Sequence, residues 1–89
     1  MEAKKDLREA YKTHCLQLAK NYNVNVSDHI LNIMISVCMT RDGHWVGGSF
    51  VQSVVANDLL GALSRADYEC RDNIYIITMA KNFCPIIKD

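Results

Sequence analysis

Ile30-Leu31-Asn32-Ile33-Met34-Ile35-Ser36-Val37-Cys38-Met39 is the stretch on which the fold turns. It is apolar nearly all round, as a central buried helix is, and it is also rich in β-branched residues, as a strand is. Read as a helix, it starts at about Asp28 behind Ser27, a good N-cap, and forms the most buried element. Read as a strand, it turns at Arg41-Asp42-Gly43 and pairs with His44-Trp45-Val46. Periodicity alone does not choose between the two.

The flanking segments carry helical spacing. Upstream, Leu7, Tyr11, Cys15, Leu18 and Tyr22 recur at intervals of three and four, which makes Glu2 to Tyr22 an amphipathic helix. Asn21, Asn23 and Asn25 break that pattern. Downstream, Val51, Val54, Val55, Leu59, Ala62 and Leu63 give a helix from Phe50 to about Leu63, with Ser49 as its cap. A last helix is read from Arg65 to Phe83, with Tyr68, Ile74, Ile77, Met79, Ala80 and Phe83 facing mostly inward and Pro85 ending it. Within it, Asn73 to Ile77 is also β-prone. The expectation is an all-α domain over residues 1–89, about four helices in two hairpins. The alternative is α+β, with a β-hairpin around residues 31–55.

Composition narrows the function. The chain has 89 residues, 49% of them apolar, and 10 basic against 10 acidic residues. So short a chain buries only ~60% of its unfolded surface. A homo-oligomer is therefore expected, with Tyr11, Leu18 and Tyr22 as an interface. A neutral chain has no surplus of cations for phosphate, which counts against nucleic acid as a partner. Lys4, Lys5, Arg8, Lys12 and Lys20 are interleaved with Glu2, Asp6 and Glu9, the pattern of a solvated face. No apolar run reaches the ~20 residues of a membrane span, and Met1 leads straight into charged residues, so a cytoplasmic protein is expected.

Cys15, Cys38, Cys70 and Cys84 are widely spaced, as are His14, His29 and His44. Without close ligand pairs, neither a zinc site nor any other cofactor is expected, and the thiols read as small hydrophobes. His14 beside Cys15 is the only tempting nucleophile and base. Adjacent helical residues diverge by about 100°, so no enzyme is read from them.

Seven residues stand out as binding candidates. Asn57 and Asp58 are poor helix formers in mid-helix, and form either a polar notch for a ligand or a pairing within the fold, Asp58 with Arg65 or as a cap. Arg65 carries a fork suited to phosphate or carboxylate, and Asp67 is either its companion or a cap at the third position of a helix. Arg41 and Trp45 flank a glycine-bearing loop and belong to the residue types enriched at binding hot spots, although Trp45 could instead plug the core. Tyr11 belongs to the stripe of the first helix.

The segment from Gly47 to Asp67, G-G-S-F-V-Q-S-V-V-A-N-D-L-L-G-A-L-S-R-A-D, resembles a family of small, uncharacterised proteins of tailed phages and prophages. Their pattern is G-[GS]-F-[LV]-x-[AS]-V-x-x-N-D-L-x-x-A-x-x-R-A-D. Gly48, Phe50, Val54, Asn57, Asp58, Leu59, Ala62, Arg65, Ala66 and Asp67 match it, and Glu69, Arg71, Asn82 and Pro85 follow in register. Cys70 stands where that family carries asparagine, and the first helix has no counterpart in it. The resemblance implies a helical hairpin and a phage setting, with the host cytoplasm as location. Three functions are expected from these readings, in order. The first is a non-enzymatic inhibitor of a host defence protein. The second is a sponge for a nucleotide immune signal, using Arg65, Arg41, Asn57, Trp45 and Tyr11. The third is a nucleic-acid-binding regulator.

Overall fold

A computed structural model describes the backbone of residues 2–87 and the side chains of residues 6–87. The central stretch is a helix, and no strand occurs among the described residues. Six helices follow in order: α1 (Glu2–Asn21), α2 (Asp28–Arg41), α3 (Ser49–Val55), α4 (Leu59–Arg65), α5 (Tyr68–Asp72) and α6 (Ile74–Phe83).

Helix α2 is built as its sequence asks. The Ser27 hydroxyl accepts the Ile30 amide at 3.2 Å, and Asp28 and Arg41 sit at the ends that suit the helix dipole. Ile30, Met34, Val37 and Cys38 are fully buried, because α1, α3 and α6 all pack on this helix. Arg41-Asp42-Gly43 is a helix stop and not a hairpin turn. Gly43 takes φ +83°, and the His44 amide reaches back to the Met39 carbonyl at 2.9 Å. A side chain at that φ would be strained, which is why glycine stands there.

The same stop is made twice more by asparagine. Asn23 (φ 56°) ends α1, with Val24 N–H bonded to Ala19 C=O at 2.9 Å. Asn57 (φ 61°) ends α3, with Asp58 N–H bonded to Ser53 C=O at 2.9 Å. The helix expected from Phe50 to Leu63 is therefore two helices meeting at a corner. The physical reason is the local asparagine–aspartate pair. Asparagine tolerates the left-handed region, and Asp58 then caps α4 by accepting the Gly61 amide at 3.0 Å.

The expected Arg65–Phe83 helix is likewise divided. Arg65 closes α4 instead of opening a helix, and Asp67 is the N-cap of α5, taking the Cys70 amide at 2.7 Å. Asn73 separates α5 from α6. With those breaks the helix faces rotate. Tyr68 and Phe83, expected inward, are 79% and 60% exposed, whereas Ile77 and Ala80 are buried as expected. Ser49 is not a cap; Gly48 takes the capping position of α3 without a side-chain bond.

Three substitutions check this corner. Asn57→Val should destabilise by about 1–2 kcal/mol, the cost of a left-handed residue with a branched side chain, whereas Asn57→Gly should be near neutral. Gly61→Ala should also destabilise, because its Cβ would meet the Asp58 carboxylate and the Arg65 guanidinium. Urea unfolding at equilibrium reads all three.

Candidate functional site

Tyr11 and Arg41 meet, but inside the fold. Arg41 donates from Nε to Asp42 Oδ1 at 2.6 Å and from Nη2 to Asp42 Oδ2 at 2.7 Å. Its Nη1 donates to the carbonyls of Lys81 (2.7 Å) and Cys84 (2.8 Å), the open end of α6. Tyr11, fully buried, donates to Asp42 Oδ2 at 2.6 Å and accepts the Ile87 amide at 3.2 Å. His44 Nε2 lies 3.0 Å from the Ile87 carbonyl. The Asp42 side chain is only 2% exposed. These groups form a clamp that fastens residues 84–87 across α1 and α2. Burial works against the Asp42 carboxylate, but its bonds from Arg41 and Tyr11 prevail and hold its pKa below the usual range. Burial and the bond to Asp42 push Tyr11 up to about 12.

Asn57, Asp58 and Arg65 sit about the α3–α4 corner, and Asp67 stands apart beside His29 and Cys70; each has an intramolecular partner. Asn57 accepts from Lys81 Nζ at 2.6 Å, Arg65 Nη1 donates to Ser53 Oγ at 3.1 Å, and the two aspartates are caps. A groove of about 200 Å³ runs beside them between the α3–α4 corner and α6, lined by Ser53, Asn57, Asp58, Ile74, Lys81 and Asn82. That is below the ~300 Å³ at which small-molecule sites begin. Trp45 is not a core plug. Its indole N–H donates to Ser36 at 3.1 Å, and the residue is 53% exposed. In the first helix, Arg8 donates to Asn32 at 2.6 Å and Lys12 is exposed, while the side chains of Lys4 and Lys5 lie outside the described residues.

The fold gathers residues that are scattered along the chain. His29 Nε2 lies 2.9 Å from Asp67 Oδ2 and 3.8 Å from Cys70 Sγ. The trio has the residue types of a cysteine hydrolase but not its wiring, because aspartate and thiol face the same ring nitrogen. A relay needs the two nitrogens on opposite partners. Burial and the neighbouring Asp67 push the Cys70 thiol up to about 12, the reverse of an activated nucleophile. The second cluster is Cys15, Cys38 and Cys84, all buried, with Cys15 Sγ 4.0 Å from Cys38 Sγ and 3.8 Å from Cys84 Sγ. Spacing along the chain hides it. The available signal was that all three cysteines occupy apolar positions of elements that pack together.

No helix among the described residues is long and apolar enough to cross a membrane. Apolar side chains reach the surface along the seam between α1 and α6. Tyr22 and Tyr75 pack edge-on with ring centres 6.0 Å apart, and Leu18, Phe83 and Pro85 line a shallow groove together with the polar His14, Gln17 and Asn21.

The clamp has a pH signature. A depressed carboxyl pKa contributes stability above its unfolded value of ~3.9 that is lost as pH falls through the folded value. A raised phenol contributes stability below pH ~10 that is lost as pH rises through the folded value, about 12. Arg41→Met should destabilise by about 3 kcal/mol at pH 7, since it strands a buried carboxylate, and that deficit should shrink below pH ~4. Tyr11→Phe should remove the loss between pH 10 and 12. Urea midpoints across pH read both. No family model, curated protein or solved structure matches the chain.

Proposed function

We propose that this protein acts by stoichiometric docking on another protein, without catalysing a reaction. In the phage setting implied by the Gly47–Asp67 resemblance, that partner is a host defence protein. The observation that carries the reading is the amount of large apolar side chain in solvent. Leu60 is 81% and Val46 79% exposed, and Tyr75, Phe83, Leu59 and Ile86 are each more than half exposed. Apolar residues scattered singly over a surface need no explanation. Here Tyr22, Tyr75, Leu18 and Phe83 share one seam, and aromatic residues are those that interface centres favour.

The nucleotide sponge has less support. Arg41 and Arg65, its phosphate-binding groups, already hold carbonyls, a carboxylate and a hydroxyl of the chain itself. The nucleic-acid reading keeps its first difficulty, the zero net charge.

The test uses the seam. Tyr75→Glu combined with Phe83→Glu changes two exposed side chains and should leave helicity and thermal midpoint close to wild type. Binding to the host protein captured by the wild-type chain should fall about thirtyfold or more, the loss of hot-spot contacts. Undiminished binding by the double variant would sink the proposal. So would a chain that only pairs with itself through this seam, measured by light scattering of wild type and variant.

A further inference from the structure

We propose that Cys15, Cys38 and Cys84 form a closed three-sulfur site for a soft monovalent metal ion of the copper(I) type. The argument starts from distances. A metal–thiolate bond is about 2.3 Å, so three sulfurs in a trigonal plane around one ion stand about 4.0 Å apart. Two of the three separations here are 3.8 and 4.0 Å, and every pair lies within 4.8 Å. The corners of the triangle are in place before any ion arrives.

Each corner comes from a different element, and each is held. Cys15 lies in α1 and Cys38 in α2, both fully buried. Cys84 follows the last residue of α6 and is fixed from both sides: its amide donates to Ala80 C=O at 3.1 Å, and its carbonyl accepts Arg41 Nη1 at 2.8 Å. The clamp on residues 84–87 therefore also sets the third sulfur, which makes Arg41 a positioning residue for the site.

The donor set selects the ion. Soft thiolates favour copper(I) and zinc over hard cations. Zinc takes four ligands in closed sites. Among the described residues no further histidine, cysteine or carboxylate joins the three sulfurs, and a d¹⁰ monovalent ion is satisfied by three. The Arg41 guanidinium stands beside the site, bonded to the Cys84 carbonyl.

An entry path exists. Cys84 forms part of the wall of a surface groove of about 150 Å³, together with His14, Leu18, Phe83 and Pro85. An ion delivered there meets the His14 face of the groove and Cys84 first, then the two deeper sulfurs. On binding, up to three S–H bonds are replaced by metal–sulfur bonds. The protons pass to solvent, and no oxidation state changes.

The experiment adds copper(I) anaerobically to the intact reduced protein, against a coloured copper(I) chelator, and records X-ray absorption of the loaded protein. One ion per chain with three sulfurs in its first shell is expected. Cys84→Ser should weaken binding by at least about a hundredfold, more than loss of an outer-shell partner does. Cys70→Ser, which removes the thiol outside the cluster, should change it less than about twofold. Two sulfurs in the wild-type shell, equal binding by Cys84→Ser, or loss with Cys70→Ser would overturn the site. Tighter binding of zinc(II) with a fourth, non-sulfur ligand would overturn the choice of ion. The wild-type spectrum decides even where a serine variant does not fold.

Discussion

The ion pair of Arg41 with Asp42 is the constraint on which the rest of this fold depends. A carboxylate with 2% exposure is costly to bury unless its lone pairs are filled. Arg41 and Tyr11 fill them, and in doing so they tie α1 to the end of α2. The guanidinium has donors left over, and these close the carbonyl end of α6, where a helix otherwise leaves groups unpaired. One buried charge pair thus sets the relation of three helices and the course of the segment after α6. Lysine could not take this place, because a single ammonium lacks the planar fork that serves two partners at once.

The second principle of construction is punctuation by single residues. Asn23, Gly43 and Asn57 each enter the left-handed region and stop a helix, and Ser27, Asp58 and Asp67 each start one. This explains why the N-D-L-L-G-A-L-S-R-A-D stretch reads as a motif. Its asparagine is a corner, its aspartates are caps, its glycine makes room for a carboxylate and a guanidinium, and its arginine braces Ser53 on the neighbouring helix. Every one of those residues has a task in the local geometry.

The all-helical class was legible in the spacing of Leu7, Tyr11 and Cys15 and in the cap at Ser27, because both depend on near neighbours. The corner at Asn57 was half legible. The residue types read as poor helix formers, but the apolar period from Val51 to Leu63 runs on across the break, although Leu59, which continues it, is 61% exposed. The outward turn of Tyr68 and Phe83 followed from the same concealed breaks. The clamp was not legible, and the thiol cluster only as far as its cysteines read as small hydrophobes. Apart from the adjacent Arg41 and Asp42, they join residues 23 to 76 positions apart, and nothing in the local pattern around Tyr11, Asp42 or Cys84 distinguishes a tertiary partner from a solvated or merely apolar side chain.

The bond between Tyr11 and Ile87 also bears on how the chain is made. It closes a loop of 76 positions, the kind of non-local contact that slows folding because its closure entropy precedes any gain. During synthesis the first helices leave the ribosome with Arg41 and Tyr11 still lacking the carbonyls and amide that they bind in the fold. Until residues 81–87 emerge, Asp42 has both its partners in Arg41 and Tyr11, but the remaining guanidinium donors do not have theirs. The tie between Tyr11 and Ile87 is thereby among the last that can form.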